Sequence, residues 1–206
     1  MKEKILLEEF KENPRITNEN KYHVKKLNWN EDNSFEVTNE LINELNIPKQ
    51  NQNTMKFIFY ELTGNIYDHS KFSEGCISGR LINAQYDFRV ADNGISIKNS
   101  FKNAGYEIEN DSDALIKAVN GLSTKNDLGY IERGTGLNNT ANIVVNGFDG
   151  EFLLISGDAI LYINSEKVIS QKNPKKLSTG TIVNLRLDLT TKIDMYNYLN
   201  QIEYRL

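Results

Sequence analysis

Four short stretches of this chain carry side chains able to hold or activate a polar ligand. The first is Glu61-Leu62-Thr63-Gly64-Asn65-Ile66-Tyr67-Asp68-His69. On an α-helix, at about 100° per residue, Glu61, Asn65 and Asp68 fall within roughly 60° of one another beside an apolar stripe. Such a border between core and cleft desolvates a polar group partly while leaving it in reach of a ligand. Asn65 offers a neutral, hard oxygen of the kind Mg²⁺ accepts alongside waters and phosphates. Glu61 is suited to taking a proton from an attacking hydroxyl or water. The second stretch is Asp92-Asn93-Gly94-Ile95-Ser96, where a carboxylate can accept a hydrogen bond from an exocyclic amino group such as that of adenine. Gly94 permits close backbone approach or a positive φ.

The third stretch, Arg133-Gly134-Thr135-Gly136-Leu137, precedes a predicted helix. Its glycines expose backbone N–H groups at a helix start, a natural seat for phosphate. It is neither a P-loop nor a dinucleotide fingerprint, because the GK[ST] ending is missing and Asn139 stands at the third glycine position. Arg133, and Lys125 within Ser123-Thr124-Lys125, are cations able to meet a terminal phosphate. The fourth is Ser178-Thr179-Gly180-Thr181, which leads into a strand and sets a hydroxyl within reach of a base or of a water beside Asp92. Taken singly, each stretch has a commonplace reading as a solvated helix flank or a turn.

The elements that must position these groups follow from periodicity. Met55, Ile58, Phe59, Leu62 and Ile66 mark one helix over residues 53–69. Phe35, Val37, Leu41, Ile42 and Leu45 mark another, closed by Pro48. Strands are predicted over 22–29, 76–81 and 85–91, the last with Tyr86, Phe88 and Val90 alternating before the Asp92-Asn93-Gly94 turn. Residues 98–135 read as a long polar connection with one short helix near 113–119, the kind of loop that often serves as a lid. A helix follows Gly136, with Leu137, Ala141 and Val144 on its buried face. Strands over 151–156, 158–163 and 181–189 complete the chain. This order predicts an α+β, two-layer sandwich, a mixed sheet with helices on one face. Residues 1–50 read as a strand-plus-helix preamble and 51–206 as the main domain.

Bulk properties narrow the function classes. With 206 residues the chain can bury a sizeable core without disulfide or structural metal. A net charge of −4 supplies no basic field for general nucleic-acid binding. The single cysteine, Cys76, excludes an internal disulfide and a cysteine-cluster zinc site. Neither a leader-like apolar run nor a bilayer-spanning one is present, so a cytoplasmic protein with no membrane partner is expected.

Taken together and in order, the four stretches closely resemble the motifs of the GHKL superfamily, the ATP-binding (Bergerat) fold of gyrase, mismatch-repair ATPases, a large heat-shock chaperone and sensor kinases. The likeness covers about residues 50–190. It implies ATP and Mg²⁺ as ligands and a nucleotide lid. By that resemblance Asn65 is the Mg²⁺ ligand and Glu61 the catalytic base of the gyrase-like and anti-sigma-kinase branches. Asp68 matches an acidic position of the gyrase-like branch, whereas His69 matches one in anti-sigma serine kinases. Asp92 resembles the adenine-reading aspartate, supported by Gly94. Gly134, Gly136 and Leu137, with Arg133 and Thr135 among them, resemble the second glycine box around the phosphates, and Thr181 the threonine near adenine. Two departures stand out: Ser96 replaces the second glycine of Asp-x-Gly-x-Gly, and Asn138-Asn139 follow Leu137 where kinases commonly continue with glycine. The motif style lies nearest to stand-alone anti-sigma serine kinases. The expectation is a regulatory protein, able to form a homodimer, that phosphorylates a small partner protein on serine. An ATP-driven conformational switch and a non-catalytic nucleotide-binding module are the alternatives.

Overall fold

A computed structural model of the chain describes residues 22–123, 135–172, 179–199 and 202–206. Seven strands form one sheet: β1 (His23–Leu27), β2 (Gly75–Ile82), β3 (Gln85–Asp92), β4 (Glu151–Ser156), β5 (Ala159–Ile163), β6 (Val168–Lys172) and β7 (Thr181–Leu187). Their order is β1-β2-β3-β7-β4-β5-β6. Every pairing between them is antiparallel. The expected α+β class holds, but the expectation of a mixed sheet is corrected: β7 enters between β3 and β4 antiparallel to both, so no parallel pair arises among the described residues. The strand β6 was not expected. Its sequence, Val-Ile-Ser-Gln-Lys, has no clean alternation because it lies at the sheet edge.

Five α-helices are described: α1 (Ser34–Glu44), α2 (Gln52–Asn65), α3 (Ile97–Asn103), α4 (Asp111–Val119) and α5 (Gly136–Asn142). The predicted apolar face of α2 is the buried one, with Met55, Ile58 and Phe59 fully enclosed. It packs on the inward side chains of the central strands, Phe88 and Val90 from β3, Val183 and Leu185 from β7, and Leu154 from β4. Burial of this kind stabilises by about 1.5–3 kcal/mol per large aliphatic or aromatic side chain. The opposite sheet face has a cluster of its own, Leu153, Ile160 and Tyr162, which no described helix residue joins. The helices thus form one layer over one face. Within that layer β1 and α1 contribute Leu27, Val37, Leu41 and Ile42 to the same core as the rest.

Buried and half-buried asparagines fasten the C-terminal segment onto this layer. Asn51 donates to the Leu189 and Thr191 carbonyls. Asn138 donates to Val119 and Ile202 and accepts from the Ile202 amide. Asn120 bonds both backbone groups of Tyr204, and Asn142 donates to Tyr198. A side-chain amide suits this task, because it can donate and accept at once to a passing backbone. Asn138, a departure from the glycine pattern, is therefore a strap.

α3 corrects the reading of residues 98–135, in which only one short helix was expected. Ser96 is its N-cap, its hydroxyl accepting from the Asn99 amide at 3.3 Å. Ile97 and Phe101 are its only large apolar residues, too few to register as a periodic face. They join Ile108, Ala114 and Ala118 in a small second core. Ser96 in place of a glycine thus starts a helix.

Candidate functional site

At the ends of β3, β7 and β4 a cleft opens between the sheet and the helices. It spans about 800 Å³, counting the open solvent at its mouth. Val90, Val183 and Leu154 form an apolar floor. Leu62, Asn65, Ile66 and His69 line one wall from α2 and its continuation, and Ile97, Phe101, Ala118 and Leu122 line the other from α3, α4 and the residues just after α4. Asp92, Thr181 and Leu137 complete the lining.

Three of these groups are brought together by register. Asp92 pairs with Thr181 across β3 and β7, and Thr181 with Ser156 across β7 and β4. Paired residues share a sheet face, so an aspartate, a threonine and a serine stand side by side. The row one step inward is apolar, Val90, Val183 and Leu154. The polar row therefore caps the floor of the cleft.

The Asp92-Asn93-Gly94 turn is more tightly built than a solvated turn. Gly94 donates its amide to Asp92 Oδ1 at 2.7 Å. A Cβ on Gly94 would lie 2.0 Å from the Ser70 carbonyl oxygen, which accepts from the Ile95 amide at 2.6 Å. The Gly94 carbonyl accepts from the Gly180 amide at 2.6 Å. Gly180 sits at φ +79°, where any side chain would be strained. Asn93 closes the outside, its Oδ1 accepting from the Ser73 and Glu74 amides at 3.0 and 2.9 Å. The Asp92 carboxyl is thereby held at the cleft, and its burial pushes its pKa up to about 6, against the opposing pull of the Gly94 amide. No cation among the described residues offsets this.

Helix α2 ends differently from the regular helix its spacing predicts. After Asn65 the chain continues as a π-helical turn, Ile66–Ser70, closed by Lys71 in the left-handed region. The wider i→i+5 turn reduces the rotation per residue below 100°. Asp68 consequently ends exposed and outside the cleft lining, while His69 faces the cleft. Asn65 lies in the wall just before the change. Its side-chain amide makes no hydrogen bond among the described residues.

Glu61 lies one helical turn before Asn65 and is not in the cleft lining. Its carboxylate rests against the first residue of α5, so closely that a Cβ on Gly136 would lie 1.9 Å from Oε2. Thr135 precedes that helix, its carbonyl accepting from the Asn139 amide at 2.7 Å, and Leu137 reaches the cleft. The structure thus brings Asn65, Asp92, Leu137 and Thr181 onto one cleft. Gly94 stands behind Asp92 as backbone support, Glu61 and Gly136 meet at its edge, and Asp68 stands apart. Arg133, Gly134, Thr124, Lys125 and Ser178 lie outside the described residues.

Sequence reasoning did not single out Ser70, Ser156, Ile97 or Phe101. Ser156 had one local signal, its place before the Gly157-Asp158 turn, where Gly157 is at φ +58°. Away from the cleft, Trp29 is exposed and His23 pairs with Glu44. Cys76 is half-buried, with its thiol pKa raised by that burial. Among the described residues no helix is long and apolar enough to cross a membrane. None of their His, Cys, Asp and Glu side chains cluster in threes to hold a metal ion. No protein-family model matches the chain, and no curated protein matches it.

Proposed function

We propose that the cleft binds an adenine nucleotide with Mg²⁺, and that the protein is a GHKL-type regulator that phosphorylates a small partner protein on serine. The observation that carries the reading is the meeting of Asn65, Asp92, Leu137 and Thr181, from four separated segments, on one apolar-floored cleft. A flat purine suits Val90, Val183 and Leu154 beneath it. A carboxylate at the rim suits an exocyclic amino group, since an ionised Asp92 can only accept hydrogen bonds.

The donor set also fits Mg²⁺. That ion keeps waters and phosphate oxygens and needs only one or two protein oxygens, and Asn65, a lining residue of the cleft, carries one. When bound, it neutralises charge on the phosphates. Glu61, beside the first residue of α5, is the side chain for accepting the serine proton, and His69 lines the cleft nearby. The second reading, an ATP-driven switch, is favoured by one feature. Glu61 couples α2 to the start of α5 rather than standing in the cleft lining, so phosphates arriving there would disturb a helix contact.

Calorimetric titration with ATP, with and without Mg²⁺, tests the shared premise, and absence of binding in both would remove it. Incubation with terminally labelled ATP and candidate partners then separates the two readings. Label on a partner serine is expected for the kinase, and free phosphate alone for the switch.

A further inference from the structure

We infer that Ser156 is a specificity-determining positioning residue, which turns the Thr181 hydroxyl proton away from the cleft so that only oxygen lone pairs face the base. The cleft then selects purines with an exocyclic amino group over purines with a carbonyl there. The inference rests on the reading of the cleft as a nucleotide-base site.

The hydrogen bonds determine the direction of that proton. Ser156 is only 1 % exposed and does not line the cleft, lying behind Thr181 in the cross-strand row. A serine hydroxyl has one proton to give and two lone pairs. Ser156 Oγ donates to the Gly180 carbonyl at 3.0 Å and accepts from the Ile97 amide at 3.0 Å. Its remaining contact is Thr181 Oγ1 at 3.1 Å. With the serine proton committed to Gly180, the threonine must be the donor in that pair. Both lone pairs of Ser156 are then filled.

Gly180 reinforces the assignment. Its left-handed conformation sends its amide to the Gly94 carbonyl and its own carbonyl to Ser156. Reversing the serine would strip that buried carbonyl of the hydroxyl that satisfies it, a cost comparable to a lost buried hydrogen bond. The rim therefore presents two acceptors next to each other, the Asp92 carboxyl and the Thr181 oxygen. An amino group satisfies either of them, whereas a ring carbonyl brings lone pairs against lone pairs.

Three nucleoside triphosphates with Mg²⁺ test this by calorimetry: ATP, ITP (a carbonyl in place of the amino group) and purine riboside triphosphate (hydrogen there). In the wild type the expected order of affinity is ATP, then purine riboside triphosphate, then ITP. Ser156→Ala frees the Thr181 hydroxyl to rotate and donate, so the ATP-to-ITP ratio should fall about tenfold, chiefly through tighter ITP binding. Purine riboside triphosphate should stay within about twofold, a readout that general loosening of the cleft would move. Should Ser156→Ala not fold, Thr181→Val carries the test: it should weaken ATP about fivefold and leave ITP unchanged or tighter. An unchanged ratio in Ser156→Ala, equal loss of ATP and ITP in Thr181→Val, or a wild type indifferent between ATP and ITP overturns the role of Ser156 and leaves the base site standing. Failure of the wild type to bind any of the three overturns the base site and the inference with it.

Discussion

Asp92→Asn should make the protein more stable in neutral solution, by an amount that depends on pH in a defined way. The carboxyl has its pKa raised by burial from 3.8 to about 6. In the unfolded chain it titrates near 3.8, so between about pH 4 and 6 the folded state binds more protons than the unfolded one. The stability linked to the protonated group is complete below the unfolded value and is lost as pH rises through the folded one. Two pKa units and a little more correspond to about 3 kcal/mol in total, of which about 2 kcal/mol falls between pH 4.5 and 8. Asparagine has no such titration and can still accept from the Gly94 amide, which lies 2.7 Å from Oδ1. The assay is urea unfolding of both proteins at several pH values. Subtracting the curves cancels the other carboxylates, including Glu44 and Asp113, whose pKa values are lowered by their lysine partners. With a slope of about 2 kcal/mol per molar urea, the asparagine variant should gain about 1 M in midpoint, relative to wild type, on going from pH 4.5 to 8. A difference flat across that range would refute the reasoning, because it would mean that the carboxyl is not held out of water.

Glu61→Gln should leave Mg-ATP binding within a few-fold while slowing phosphoryl transfer or hydrolysis by about 10²- to 10⁴-fold, measured by single-turnover release of label; an unaltered rate removes it as the base. Gly94→Ala drives a Cβ to 2.0 Å from the Ser70 carbonyl oxygen, so it should cost more than about 2 kcal/mol in urea unfolding and abolish nucleotide binding. Stability and affinity both near wild type would contradict the close approach. Asn138→Ala strips the Val119 and Ile202 carbonyls of their amide donor and should cost about 2–3 kcal/mol. Limited proteolysis should then cut first within residues 189–204, and a loss below about 1 kcal/mol would refute the strap.

Those elements with a strong local period are legible in the sequence itself. The apolar face of α2, the alternation of Tyr86, Phe88 and Val90, and the strands on either side of Gly157-Asp158 all follow from side chains a few residues apart. What failed was set over longer range or by a change of period. A π-helical turn after Asn65 uses ordinary helix-compatible residues, Ile-Tyr-Asp-His-Ser, so nothing local marks it; it moves Asp68 out and His69 in. Helix α3 was missed although Ser96 and the Ile97/Phe101 spacing were visible, because a seven-residue helix packing on a satellite core shows too little periodicity. The insertion of β7 between β3 and β4 sets Thr181 beside Asp92 and Ser156, and no local pattern encodes that order. Within the candidate site, the residue types at 65, 92 and 181 were legible and the serine behind them was not.

The charge on Asp92 is the feature that structure alone does not require. A turn of this shape needs an acceptor for the Gly94 amide, and the oxygen of an asparagine would supply one without desolvating a carboxylate. Instead the chain holds an ionisable group at a largely buried position, raised to a pKa of about 6 and with no cation among the described residues to offset it. Its neighbours in the row, Thr181 and Ser156, are small and polar, and both are built into one hydrogen-bond chain that ends on Gly180. A penalty of about 3 kcal/mol concentrated at the rim of an apolar cleft is a large share of the stability of an ordinary domain. It is offset when a ligand brings a donor to that carboxyl, since the proton then leaves and the carboxylate gains its partner. Ligand affinity should accordingly rise as pH increases through 6, opposite in sign to the stability of the unliganded protein, and that pairing of opposite slopes would tie the buried charge to binding.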